Sequence, residues 1–114
     1  MLSVTFYEDS RHRLSSFLGS GHVEIAETSS DEYSLVCAAV SAILQAARLG
    51  LETVANVPVE VRQQRGDMRL RIPDARRADE GVVAIVRTAE LAVKQIASQY
   101  PQHVRYAREN DPQP

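Results

Sequence analysis

Cysteine occurs once in this sequence, as Cys37, so no internal disulfide can form and a reducing compartment is the expected setting. The three histidines, His12, His22 and His103, are scattered and share no ligand spacing with that cysteine, which argues against zinc; neither metal nor cofactor is expected. Rings are scarce as well: aromatic residues make up 5% of the chain, namely Phe6, Phe17 and four tyrosines, too few for a base-stacking surface. Positive charge is not in excess either. The 13 basic and 15 acidic residues give a net charge of -2, so direct nucleic-acid binding is not expected. The longest apolar stretch is interrupted by Ser41, Gln45 and Arg48, and the opening MLSVTFYEDS has no basic-then-apolar leader. The expectation is a cytoplasmic protein with neither membrane span nor secretory signal.

What is present is ordinary globular composition, 44% hydrophobic and 25% charged over 114 residues. That length suits one domain, expected over 1–109, with a frayed tail at 110–114. Leu2, Val4 and Phe6 alternate with polar residues as in a half-buried strand. The polar run Tyr7 to Arg13 reads as a hairpin connection to a second strand at about 14–24, which ends around Gly19, Ser20 and Gly21. After a polar loop at about 27–33, Ser34 to Asn56 reads as an alanine-rich helix with Ser34 as N-cap and Cys37 in its first turn. Its apolar residues cover much of the circumference, so it must be buried on several sides, by a sheet and by a second helix or another copy of the chain.

Val59 and Val61, then Met68, Leu70 and Ile72, alternate on either side of Arg65-Gly66-Asp67, a hairpin whose tip accounts for that tripeptide without an adhesive role. A second helix is expected from about Arg76 to Gln99, with Val82, Val86, Ala89 and Val93 on one stripe and Pro101 closing it. His103 to Tyr106 offers a final strand. The fold class is therefore α+β, in the order strand, strand, helix, strand, strand, helix and a possible strand, with helices packed on a mostly antiparallel sheet.

Two residues stand out for chemistry. A thiol near the free N–H groups of a helix start gains thiolate character, and Ser41, four residues after Cys37, shares its face. His22, beside Gly21 at a strand end, is a candidate base for that thiol. Read from the residues alone, a lone cysteine beside Val36, Ala38 and Ala39 is more often a small buried apolar residue than a nucleophile, and His12 and His103 are surface or loop-anchoring histidines.

Ser20-Gly21-His22-Val23 and Val36-Cys37-Ala38-Ala39-Val40-Ser41-Ala42 resemble the two signature blocks of the ribosomal-processing cysteine protease (Prp) family, the second block residue for residue. The resemblance implies a cytoplasmic homodimeric cysteine endopeptidase that trims a short N-terminal extension from a bacterial large-subunit ribosomal protein. It implies Cys37 as nucleophile and His22 as general base and acid, with Ser41 an auxiliary polar residue of the site; Ser34, Asp31 and Gly21 are further candidate auxiliary residues of the substrate site. The sequence departs from the family pattern just before the cysteine block. Glu32 and Ser34 stand where the family carries a glycine and an aspartate, and Val23 replaces an alanine; Asp31 is the acid that would substitute if the loop folds back. The rival reading is a non-catalytic dimeric module that binds a ribosomal protein or an assembly intermediate.

Overall fold

The computed structural model describes residues 1–21 and 31–113. Strands β1 (Leu2–Glu8) and β2 (Leu14–Ser20) form a hairpin, followed by helix α1 (Asp31–Leu49), whose last turn, Gly50–Val54, widens to π geometry. A second hairpin, β3 (Glu60–Gln64) and β4 (Asp67–Arg71), leads through a short 3-10 turn to α2 (Glu80–Gln99) and then β5 (Val104–Asn110). The five strands form one sheet in the order β3-β4-β2-β1-β5. All pairs are antiparallel except β1 with β5. The expected α+β architecture is therefore the observed one.

Alternation decides which face of the sheet is covered. Leu2, Val4 and Phe6 of β1, Phe17 of β2, and Met68 and Leu70 of β4 all point to one face and are buried. Phe6 and Phe17 stand directly opposite across β1 and β2, with ring centroids 5.5 Å apart. Val36, Val40, Leu44 and Ala47 of α1 and Val82, Val86, Ala89 and Val93 of α2 close over that face in one core cluster. Gly50 lets the helices approach, since a Cβ there would already sit 3.4 Å from Ile85. On the opposite face of the sheet, polar cross-strand partners such as Arg62 and Arg69 meet instead.

Four expectations need correction. Helix α1 is already formed at Asp31, ahead of the expected start at Ser34, and Asp31 and Glu32 put negative charge in its first turn, at the positive end of the helix dipole. Residues 31–33 of the expected loop are therefore helical, and 27–30 lie outside the described residues. Helix α2 begins at Glu80, four residues later than Arg76, because Asp74–Arg76 forms its own tight turn. The tail does not fray at 110: Asn110 ends β5, Asp111 donates its N–H to the Glu8 carbonyl (2.7 Å), and its carboxylate accepts from Arg71 (2.9 Å). Finally, the continuous helix Asp31–Val54 is long and apolar enough to cross a membrane, so Ser41, Gln45 and Arg48 do not disqualify it as expected. Its inner face, however, forms the core of this domain.

The β1–β2 turn is held by a buried carboxylate. Asp9 Oδ1 accepts the backbone N–H of Arg11 (2.9 Å) and of Arg13 (3.0 Å), while Oδ2 accepts from the Arg13 and Arg77 side chains. His12 takes a left-handed conformation at the tip (φ 62°), a cost this set of hydrogen bonds offsets.

Candidate active site

The site lies where the end of β2 meets the first two turns of α1. Gly21 follows β2 with φ +90°, a conformation that L side chains rarely adopt, and a Cβ there would fall 2.7 Å from the Met1 carbonyl oxygen. Its N–H donates to the Gly66 carbonyl at the tip of the β3–β4 hairpin (2.9 Å), so two hairpins fix the backbone immediately before His22. His22 itself falls outside the described residues, and so does the expected continuation of β2 through residues 22–24.

Cys37 sits on the inner face of α1 and is 6% exposed. It is the seventh residue of the helix rather than the third, so the free N–H donors of the first turn belong to residues 31–34 and not to the neighbourhood of its sulfur. The expected direct effect of the helix start on this thiol and on a developing oxyanion is thereby removed. Ser34, expected as the N-cap, is a half-buried residue of the first turn. Asp31 is exposed at the head of the helix. Ser41 lies one turn beyond Cys37, in a narrow cleft with Gly19, Leu44, Gln45 and Met68.

The residue that sequence reasoning passed over is Tyr33. Placed four residues before Cys37, it shares that helical face. Its hydroxyl donates to the Gly21 carbonyl (3.2 Å), and the Cys37 thiol is a near enough neighbour to act on its ionisation. Burial, and after it this thiol, push the phenol above its usual pKa. The Tyr33 ring lies 5.4 Å from that of His103, and His103 Nε2 is 2.7 Å from Glu32 Oε2. Tyr33 is thus the link between the thiol, the strand end that precedes His22, and the segment leading into β5. The signal was available in the four-residue spacing; a tyrosine inside a supposed loop gave no reason to apply it.

The fold is a small two-layer α+β domain with a lone, nearly buried thiol on the inner side of α1, near the end of β2. The chain belongs to the Prp cysteine protease family, whose model, described as Cysteine protease Prp, matches residues 1–105. Among solved structures it is similar to SMU.848 from Streptococcus mutans, with a TM-score of 0.87 and 23% identity over 97% of this chain and 99% of that one. It is also similar to the ribosomal processing protease Prp from S. aureus in complex with a substrate peptide, with a TM-score of 0.82 and 16% identity over 95% of this chain and 99% of that one. The same S. aureus protease with a covalently linked product peptide aligns with a TM-score of 0.79. No curated protein matches the sequence.

Proposed function

We propose that this chain removes a short N-terminal extension from a large-subunit ribosomal protein in the cytoplasm, through a Cys37–His22 dyad. The observation that carries the reading is the junction of Cys37, Tyr33 and the Gly21 carbonyl, which brings the backbone preceding His22 to the thiol-bearing face of α1. Its similarity to the S. aureus ribosomal processing protease supports the substrate class. In this reading, His22 takes the thiol proton and the Cys37 thiolate attacks the scissile carbonyl. The resulting tetrahedral adduct collapses to an acyl-enzyme as His22 returns the proton to the leaving amine. Water, activated by His22, then releases the new carboxylate and frees the thiol. Ser41 supplies an auxiliary hydroxyl within the adjoining cleft. Because Cys37 is nearly buried, the groups around it must give way for a peptide to enter.

The same reading includes a homodimer. Leu35 is 71% and Leu49 60% exposed, and the exposed Ala38, Ala42 and Ala46 lie with them on the side of α1 opposite its core face. An apolar stripe of this kind is a fitting surface for a second copy.

The decisive experiment incubates the full-length ribosomal protein precursor with the purified enzyme and follows its N-terminus by mass spectrometry. Cys37→Ala and His22→Ala should each slow removal of the extension by roughly a thousandfold or more. Undiminished cutting by Cys37→Ala would overturn the nucleophile assignment. An intact precursor after prolonged incubation with wild type would overturn the substrate.

A further inference from the structure

A second cavity, of about 160 Å3, lies at the far end of the sheet from Gly21, between the β1–β2 turn, the first turns of α2 and β5. Strands of this length put it roughly 20 Å from the peptidase site. Its apolar side is formed by Leu14, Val82, Val83 and Val86. Its polar side is formed by Arg13, Arg77, Arg87 and Arg108. No carboxylate lines it among the described residues.

The matching carboxylates stand behind the arginines. Asp9 holds Arg13 (2.9 Å) and the buried Arg77 (3.1 Å). Glu90, whose side chain is fully buried, pairs with Arg87 and with Arg108 Nε (3.1 Å), and accepts a hydrogen bond from the Tyr106 hydroxyl (2.8 Å). Arg77 is fixed through Nε and Nη1, Arg87 through Nη1, and Arg108 through Nε and Nη1. The Nη2 of each has no partner among the described residues. Guanidiniums buttressed in this way are already oriented, so an incoming oxyanion need not order them. With Asp74 on Arg13 and Glu8 near Arg108 (3.7 Å), four carboxylates stand against the four guanidiniums, so attraction must come from aligned donors together with apolar burial.

We propose that this cavity binds a small amphiphilic oxyanion: one carboxylate or phosphate joined to an apolar group about the size of a benzene ring. The volume sets that limit, since an apolar cavity of ~150 Å3 holds benzene. The anionic head meets the arginines while the apolar group lies on the valines. Such chemistry has two sources, a free aromatic or branched acid and the C-terminal residue of a peptide. The site is separate from Cys37 and stands whether or not the proposed ribosomal substrate is correct.

Titrating the 15N-labelled full chain with benzoate and with phenyl phosphate, followed by NMR, tests the assignment. Saturable shifts are expected at residues 12–14, 77–87 and 108, with a dissociation constant on the order of 0.1–1 mM for so small a ligand. Benzyl alcohol, which lacks the charge, and inorganic phosphate, which lacks the ring, should each bind about tenfold more weakly or worse. Arg87→Gln removes a donor, and Val83→Asp places a carboxylate on an exposed rim position; each should weaken benzoate severalfold in a chain that still folds. Tighter binding of N-acetylphenylalanine than of both benzoate and N-acetylphenylalanine amide would assign the ligand to a peptide end; the reverse order would assign it to a free acid. Absence of saturable shifts, equal binding of benzyl alcohol, equal binding of inorganic phosphate, or indifference to both variants would overturn the proposal.

Discussion

Tyr33 and Gly21 hold the site together, and each makes a separate demand on the sequence. Tyr33 stands one helical turn before the nearly buried thiol, with its hydroxyl on the Gly21 carbonyl. Tyr33→Ala should therefore speed alkylation of Cys37 by iodoacetamide severalfold, and Tyr33→Phe, which keeps the ring against His103, should have a smaller effect. An unchanged alkylation rate in Tyr33→Ala would show that other groups limit access. Gly21 has no alternative residue. Alanine would have to adopt φ +90° and place its Cβ 2.7 Å from the Met1 oxygen. Gly21→Ala should cost about 1–3 kcal/mol in urea denaturation and, under the proposed function, should also slow precursor cutting, because the next residue is the proposed base His22.

Elements are joined here by buried charge as much as by apolar packing. Asp9 ties the β1–β2 turn to Arg77, which in turn donates to the Ile72 carbonyl (2.9 Å) just before α2. Burial on its own would raise the Asp9 carboxyl, but the N–H groups of Arg13 and Arg11 and the guanidiniums of Arg13 and Arg77 hold it well below the usual aspartate range. A carboxyl depressed on folding contributes stability that is fully present above the unfolded value of about 3.9 and is lost as pH falls through the folded one. Thermal stability of the wild type should therefore decline below about pH 4. Asp9→Asn should be less stable at neutral pH and should show a shallower acid decline. Parallel acid profiles for the two proteins would mean that Asp9 does not carry this dependence. Glu90 does for α2 and β5 what Asp9 does for the turn, and its neighbour Tyr106 is pushed up to about 12, by burial first and by the Glu90 hydrogen bond second.

Across the whole molecule, the two helices cover one face of the sheet, and α1 is apolar on both of its sides. One side is the core. The other, marked by Leu35 and Leu49, faces solvent in a single copy. Sedimentation should find a dimer for the wild type at micromolar concentration, and Leu35→Glu with Leu49→Glu should shift it to monomer while leaving the helical circular dichroism intact. A wild-type monomer would remove the homodimer from the proposed function.

Local pattern determined a good deal. The alternation of Leu2, Val4 and Phe6, and of Met68 and Leu70, is enough to specify strands with one buried face, because side chains on a strand alternate whatever the rest of the chain does. The three-and-four spacing of Val82, Val86, Ala89 and Val93 specifies α2 for the same kind of reason. The block around Cys37 marks the family by identity alone. Tertiary structure decided what depends on residues distant in the chain: that β5 joins β1 in parallel, that Asp111 is anchored where a terminal residue would otherwise fray, and that Asp9 and Glu90 are buried against arginines. It also brought the Tyr33 hydroxyl to the Gly21 carbonyl, a partner twelve residues away in the chain. Backbone period is a property of neighbouring residues, whereas the partner of a buried polar group is whichever residue the completed fold brings within hydrogen-bond reach.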